Sequence, residues 1–195
     1  MNALALRRAD SAAATAPLDP NPAWLAQILA AQRAGRSCLP LRLGLDQADY
    51  AALLAAHFPA LAGAPGAPAD GLLDDGHALR QELLELRRDE WMELRDLLLA
   101  GRRGATPAAD WLAQIVAAAC LGGNHLWRDL GLASRLELRE LLLHNFPQLA
   151  QRNVHDMRWK KFFYKQLCEQ DGGYVCRAPS CAQCPTHHDC FGEEL

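Results

Sequence analysis

The sequence predicts an all-α protein, with duplicated three-helix units forming one helical bundle and an irregular, cysteine-rich tail at the C-terminus. Three observations carry this reading. Apolar residues recur at helical spacing between recognisable caps, a tryptophan-led string occurs twice, and the periodicity stops after Gly172-Gly173, where cysteines and prolines take over.

The repeat is the clearest architectural signal. Trp24-Leu25-Ala26-Gln27-Ile28 returns 87 residues later as Trp111-Leu112-Ala113-Gln114-Ile115, and Leu43-Gly44-Leu45 returns at the same offset as Leu130-Gly131-Leu132. Phe58-Pro59 returns at an offset of 88 as Phe146-Pro147, followed by Leu61 and Leu149. Each unit opens with a helix whose inward face is Trp24, Leu25, Ile28 and Leu29 in one copy and Trp111, Leu112, Ile115 and Val116 in the other. Thr106-Pro107 supplies an N-cap and a first-turn proline for the second copy.

A second helix follows in each unit. Ser134-Arg135-Leu136-Glu137 has capping-box form, Asp46 plays the matching role in the first unit, and the second copy ends near Asn145, because proline disfavours helical geometry in the residue before it. A third helix closes each half. It is expected from about Asp75 to Ala100, with Leu79, Leu83, Leu86, Leu94 and Leu97 on one buried stripe, and from about Asn153 to Glu169. No segment reads as a strand. The expected organisation is a disordered leader over 1–19, a helical domain over 20–170 and a metal-cluster tail over 171–195. The repeat halves span about 20–100 and 105–170, with a low-complexity linker over 62–71 and a hinge at Gly101 to Gly104.

Half of the 195 residues are apolar, enough for one moderate core. The net charge of −3 excludes a surface built as a whole to collect nucleic acid. No apolar run approaches the roughly 20 residues that span a bilayer, so no membrane partner is expected. Met1 to Ala16 carries Arg7, Arg8 and several alanines, like a transit peptide, but lacks the apolar segment of a secretory signal. Seven cysteines is an odd number, and four of them fall within fifteen residues. That pattern suits metal ligation in a reducing cytoplasm better than a disulfide framework.

Those four are spaced Cys176-x4-Cys181-x2-Cys184-x5-Cys190. Thiolates two to five residues apart converge on one centre without long excursions, and their softness matches iron in a sulfide cluster. Pro179 and Pro185 reduce the freedom of the unliganded loop, so metal binding and tail folding become one event. A structural zinc site is the competing reading, although zinc sites usually pair two short knuckles across a longer spacer. The ferredoxin spacing is absent.

Other metal-ligating residues have two readings each. His187 and His188, beside Asp189, offer nitrogen ligands or simply face solvent. Cys168, eight residues before Cys176, approaches a cluster or packs in the core, and His125 reaches a cluster or caps a helix junction. Cys38 and Cys120 lie in apolar helical contexts and read as packing residues.

The only three lysines of the chain, Lys160, Lys161 and Lys165, share one segment with Arg152 and Arg158. Trp159, Phe162 and Phe163 interleave them as a core-facing stripe. The cations are either solvated charge, electrostatic support for an anionic cluster or molybdate from Arg158, Lys160, Lys161 and Lys165, or a nucleic-acid patch. No nucleic-acid partner is expected.

On these residues the chain resembles the NifQ proteins of nitrogen fixation. The likeness rests on the four-cysteine motif followed by Phe191-Gly192, on Met157-Arg158-Trp159-Lys160-Lys161-Phe162-Phe163-Tyr164 with Leu167-Cys168, and on Asn124-His125-Leu126-Trp127 with Asp129-Leu130-Gly131-Leu132. With Phe146-Pro147 and Asn153 it covers most of Thr106 to Gly192.

The resemblance implies a carrier rather than an enzyme. Such a protein holds a molybdenum–iron–sulfur cluster of Mo-3Fe-4S type, or an iron–sulfur precursor, with molybdate as metal source. It passes molybdenum to the nitrogenase cofactor scaffold complex together with the nitrogenase iron protein. Cys176, Cys181, Cys184 and Cys190 are the expected ligands. Three irons need only three thiolates, so Cys190 or Cys176, assisted by His187 or His188, is the expected labile molybdenum ligand. Two rivals stand beside this reading. Helix-hairpin-helix DNA glycosylases end in a similar cysteine loop, but no glycine-rich hairpin with a catalytic lysine or aspartate occurs here. The other is a zinc-stabilised helical interaction module.

Overall fold

The computed structural model describes residues 19–62, 75–170, 172 and 187–192, with the backbone alone at Asp75, His77 and Asp189. Most of the expected leader, linker and cysteine tail therefore lies outside the described residues. So do Cys176, Cys181 and Cys184.

Among the described residues the chain is helical and contains no strand. The elements are α1 (Asn21–Arg33), α2 (Gln47–His57), α3 (Pro59–Ala62), α4 (Asp75–Leu86), α5 (Arg88–Ala100), α6 (Pro107–Cys120), α7 (Leu126–Leu130), α8 (Arg135–Asn145), α9 (Pro147–Ala150), α10 (Trp159–Gln170) and α11 (His187–Phe191). None is long and apolar enough to cross a membrane.

Local chemistry sets the helix starts. The Thr106 hydroxyl accepts from the Ala109 N–H at 3.2 Å, the Asp46 carboxylate from Asp49 N–H at 2.8 Å and the Ser134 hydroxyl from Glu137 N–H at 3.2 Å. The Glu137 carboxylate reaches back to the Ala133 N–H at 2.8 Å, one residue outside the usual capping-box partner. Helix α8 ends at Asn145, as Phe146-Pro147 requires. Matching positions of the repeat share these details. Gly44 and Gly131 both take positive φ, at +88° and +80°, and each sits where a Cβ would collide with a neighbouring helix, at Ala118 and Ala31 respectively.

Helix α6 is buried almost throughout, with polar side chains only at Asp110 and Gln114 on one face, which makes it the centre of the core. Helix α5 lays Trp91, Leu94 and Leu98 against it, and the Trp91 indole N–H donates to the Gln114 carbonyl at 3.2 Å. Helix α10 buries Trp159, Phe162 and Phe163 and packs on α5. A polar clasp marks that contact: Arg87 donates to both Glu90 oxygens at 2.7 and 2.6 Å and to the Leu121 carbonyl at 2.9 Å, and the Tyr164 hydroxyl donates to Glu90. The Arg87 hydrogen bonds hold the Glu90 carboxyl below its ordinary range, while burial and Glu90 push the Tyr164 hydroxyl above its own. Across the molecule, the Asn145 amide donates to Asn21 at 2.8 Å and the Gln27 amide to Glu137 at 3.0 Å, joining α1 to α8.

Several expectations are corrected. The segment from Asp75 to Ala100 is two helices that break at Arg87, and its apolar stripe is not continuous. Leu94 and Leu97 are buried, whereas Leu79, Leu83 and Leu86 stay 56, 47 and 75% exposed, because α4 packs only weakly on the body. The last long helix starts at Trp159 rather than near Asn153. Asn153 instead accepts from Met157 N–H and donates to its carbonyl, which closes a turn. The Gly101–Gly104 connection is pinned rather than hinge-like, with Arg103 N–H on the Asn145 carbonyl at 2.8 Å and Gly101 pressed on Leu149.

Candidate functional site

Of the four motif cysteines, Cys190 is the one within the described residues. It lies on α11, half-buried against the edge of the core. Its carbonyl accepts from the Arg158 N–H at 2.8 Å, while Arg158 Nε donates to the Gly192 carbonyl at 3.2 Å and Gly192 N–H closes onto the His188 carbonyl at 2.8 Å. The His187 ring stacks on Phe191 with centroids 4.5 Å apart. A Cβ at Gly192 would come within 2.6 Å of the His188 carbonyl oxygen, so the close approach itself calls for glycine there. The end of the tail is thus anchored to the residue that precedes α10.

The other candidates are placed as follows. His187 and His188 are exposed at the start of α11. Cys168 is half-buried on α10, and His125 is half-buried at the cap position of α7, where its side chain makes no capping bond. Lys161 is exposed, and Lys165 pairs with Glu169 at 3.6 Å on the surface. Among the described residues no three His, Cys, Asp or Glu side chains converge as metal ligands. In this part of the chain Cys190 is therefore not joined by His125 or Cys168 in a ligand group.

Lys160 departs from the picture of solvated charge. Its ammonium donates to Asp129 Oδ2 at 2.5 Å and to the Gly122 carbonyl at 2.8 Å, and its side chain is 17% exposed against 2% for Asp129. Asn124 completes the pocket, with its N–H on Asp129 Oδ2 at 3.0 Å and its amide on Oδ1 at 3.3 Å. Gly122 has no room for a side chain, because a Cβ would meet Asp129 Oδ2 and Cys38 Sγ, each at 2.5 Å. Sequence reasoning did not single out Asp129. The available signal was an acidic residue set among Leu126, Trp127, Leu130 and Leu132, where burial demands a cationic partner.

Cys38 sits beside this pair in the α1–α2 loop, not in a helix as expected, and its thiol donates weakly to the Ala119 carbonyl at 3.7 Å. Burial first, then the charge of Asp129, pushes the Cys38 thiol up to about 12, with Lys160 pulling the other way. Burial likewise pushes Cys120 up to about 12 against Lys160. Both stay protonated at neutral pH, which matches the expected packing role and disfavours them as thiolate ligands.

Comparison with known proteins places the chain. The NifQ family model matches residues 24–192. Protein NifQ of Azotobacter vinelandii is 62% identical over 195 residues, covering 100% of both chains. Protein NifQ of Klebsiella pneumoniae is 43% identical over 178 residues, 90% of this chain and 98% of the relative. That of Rhodobacter capsulatus is 39% identical over 174 residues, 87% of each. No solved structure matches. With a family model spanning most of its length and a full-length relative at this identity, the chain belongs to the NifQ family.

Proposed function

We propose that this protein is a cytoplasmic carrier of a molybdenum–iron–sulfur cluster, of Mo-3Fe-4S type or built on an iron–sulfur precursor, that donates molybdenum for nitrogenase iron–molybdenum cofactor assembly. Membership of a family named for nitrogen fixation supports the process. The observation that carries the chemistry is the seat of Cys190: the last thiol of a four-cysteine motif, half-buried, with its carbonyl held by the N–H that opens the basic helix. The donor set fits the cargo, since short-spaced thiolates suit a sulfide cluster, while the buried Cys120 and the half-buried Cys38 keep their thiol protons.

In this reading Cys176, Cys181, Cys184 and Cys190 hold the cluster, and the tail folds around it as metal binds. The helical body is read as two copies of one unit, which the matched caps and glycines support. It presents the tail to the cofactor scaffold complex and the iron protein. The protein turns over no substrate of its own.

The test is anaerobic purification of the full chain from a molybdate-supplied host, with Mo, Fe, Zn and sulfide quantified on one sample. Iron and sulfide with molybdenum are expected. Single serine substitutions at the four cysteines are expected to lower iron, and one of them to lower molybdenum selectively. Stoichiometric zinc without iron or sulfide would sink the reading.

A further inference from the structure

The first turn of α10 has a charge problem that another helix resolves. Lys160 and Lys161 occupy that turn, Arg158 stands immediately before it, and no acidic residue falls within it. Backbone N–H groups make this the positive end of the helix, so three cations there oppose the helix dipole. The compensating carboxylate is Asp129 of α7, 2% exposed, which accepts from the Lys160 ammonium.

Asp129 stands on a frame set without α10. Asn124 donates to both of its oxygens, its N–H donates to the His125 carbonyl at 3.0 Å, and its carbonyl accepts from the Cys38 N–H at 3.1 Å. Next along the chain, Leu130 is fully buried, and Gly131 passes so close to Ala31 of α1 that a Cβ would fall 2.1 Å away. Lys160 is thereby tied to two placed oxygens, Asp129 Oδ2 and the Gly122 carbonyl.

Arg158 connects that turn to the cysteine tail. Its carbonyl accepts from the Phe162 N–H at 2.9 Å, which closes the first turn, while its N–H donates to the Cys190 carbonyl at 2.8 Å and its Nε to the Gly192 carbonyl at 3.2 Å. Fraying of the first turn therefore frees Arg158 and lets Cys190 move. The buried stripe of Trp159, Phe162 and Phe163 keeps α10 on the core, but apolar burial is non-directional and does not hold the turn closed. Charge-assisted hydrogen bonds to placed oxygens do.

We propose that Asp129 is a positioning residue for the last cysteine of the motif, acting through Lys160 to keep the first turn of α10 closed and through Arg158 to keep Cys190 in place. As a metal ligand Cys190 rests on the carrier reading above, whereas its place depends on the fold alone.

The experiment compares the wild-type full chain, purified anaerobically, with Asp129→Asn and with the double variant Asp129→Asn/Lys160→Met. Hydrogen exchange is read by mass spectrometry over 157–163 and 187–192, and iron loss to a chelator on the same samples. In Asp129→Asn, exchange in both segments and iron loss are expected to speed up about tenfold, the weight of a partly buried charge at a helix end. Removing the stranded ammonium as well is expected to recover most of the thermal midpoint that Asp129→Asn loses, yet to leave exchange and iron loss fast. Exchange and iron loss that return to wild-type values together with the midpoint would reduce the pair to a structural role and overturn the proposal. So would exchange over 187–192, or iron loss, that Asp129→Asn leaves unchanged. A double variant that regains no midpoint would show that the two groups do not act as a pair, and would overturn it too. Fast exchange over 187–192 in variants of a chain that purifies with zinc and no iron would keep Asp129 as the residue that places Cys190 and remove the carrier reading.

Discussion

Lys160 and Asp129 come from segments 31 residues apart and meet at 2.5 Å inside the protein, joining the start of α10 to the buried face of α7. The pair is mostly shielded from solvent, so each charge depends on the other. Removing one partner leaves a desolvated charge with too few compensating groups. Asp129→Ala and Lys160→Met are each expected to cost about 3–5 kcal/mol of stability, and the double variant clearly less than their sum. Urea unfolding of the three variants measures this. Additive losses would show that the two groups do not interact in solution.

Two glycines with the same backbone requirement separate strain from packing. Gly35 and Gly131 both have positive φ, at +67° and +80°, but a Cβ at Gly35 meets nothing within 4 Å, whereas one at Gly131 falls 2.1 Å from the Ala31 Cβ. Gly35→Ala is expected to cost about 1–2 kcal/mol from conformation alone. Gly131→Ala is expected to cost about 1–3 kcal/mol more, because α1 must move off α7. Chemical denaturation of both variants compares them directly.

The thiols of Cys38 and Cys120 titrate far above their ordinary value of 9.0, at about 12. The unfolded chain loses these protons near 9, and the folded chain keeps them. Their contribution to stability is therefore complete below about pH 9 and is lost as pH rises from about 9 to about 12. Alkylation with iodoacetamide at pH 8.5, read by peptide mass spectrometry, should leave both unmodified in the native protein and modify both in urea. Rapid native labelling would contradict the burial of Cys120, and at the half-buried Cys38 it would contradict the protonated thiol.

Under the carrier reading, the seat of Cys190 governs how long the metal stays. Arg158→Ala removes the Nε bond to the Gly192 carbonyl, and Gly192→Ala forces residue 192 off the His188 carbonyl and opens the end of α11. Both are expected to speed iron loss to a chelator by about tenfold, the usual weight of groups that orient a ligand. Lys161→Ala, at an exposed position on α10, should have little effect. Equal rates in all three would detach Arg158 from the site.

Glu90 gives a pH dependence of opposite sign to the thiols. Its folded carboxyl is held down chiefly by the Arg87 hydrogen bonds, so the stability it adds is present above its ordinary value of 4.5 and is lost as pH falls. Arg87→Met should flatten the acid limb of the stability curve, measured as thermal midpoint against pH.

Much of this protein was legible in its sequence because the governing interactions are local. Thr106, Asp46 and Ser134 cap helices through bonds that span three residues, and Phe146-Pro147 ends α8 through a clash between neighbours. The apolar faces of α1 and α6 follow from periodicity alone. Family membership was equally readable, since it rests on the order and spacing of residue types.

Tertiary structure decided what depends on residues distant in the chain. Spacing gave Leu79, Leu83 and Leu86 a buried stripe, but α4 finds little to cover it, and whether a face is buried depends on what lies opposite. Lys160 looked like its neighbour Lys161, and only the position of α7 turned one into a buried partner and left the other in solvent. The cysteine spacing is a property of the chain, and the anchoring of its last member by Arg158 is a property of the fold.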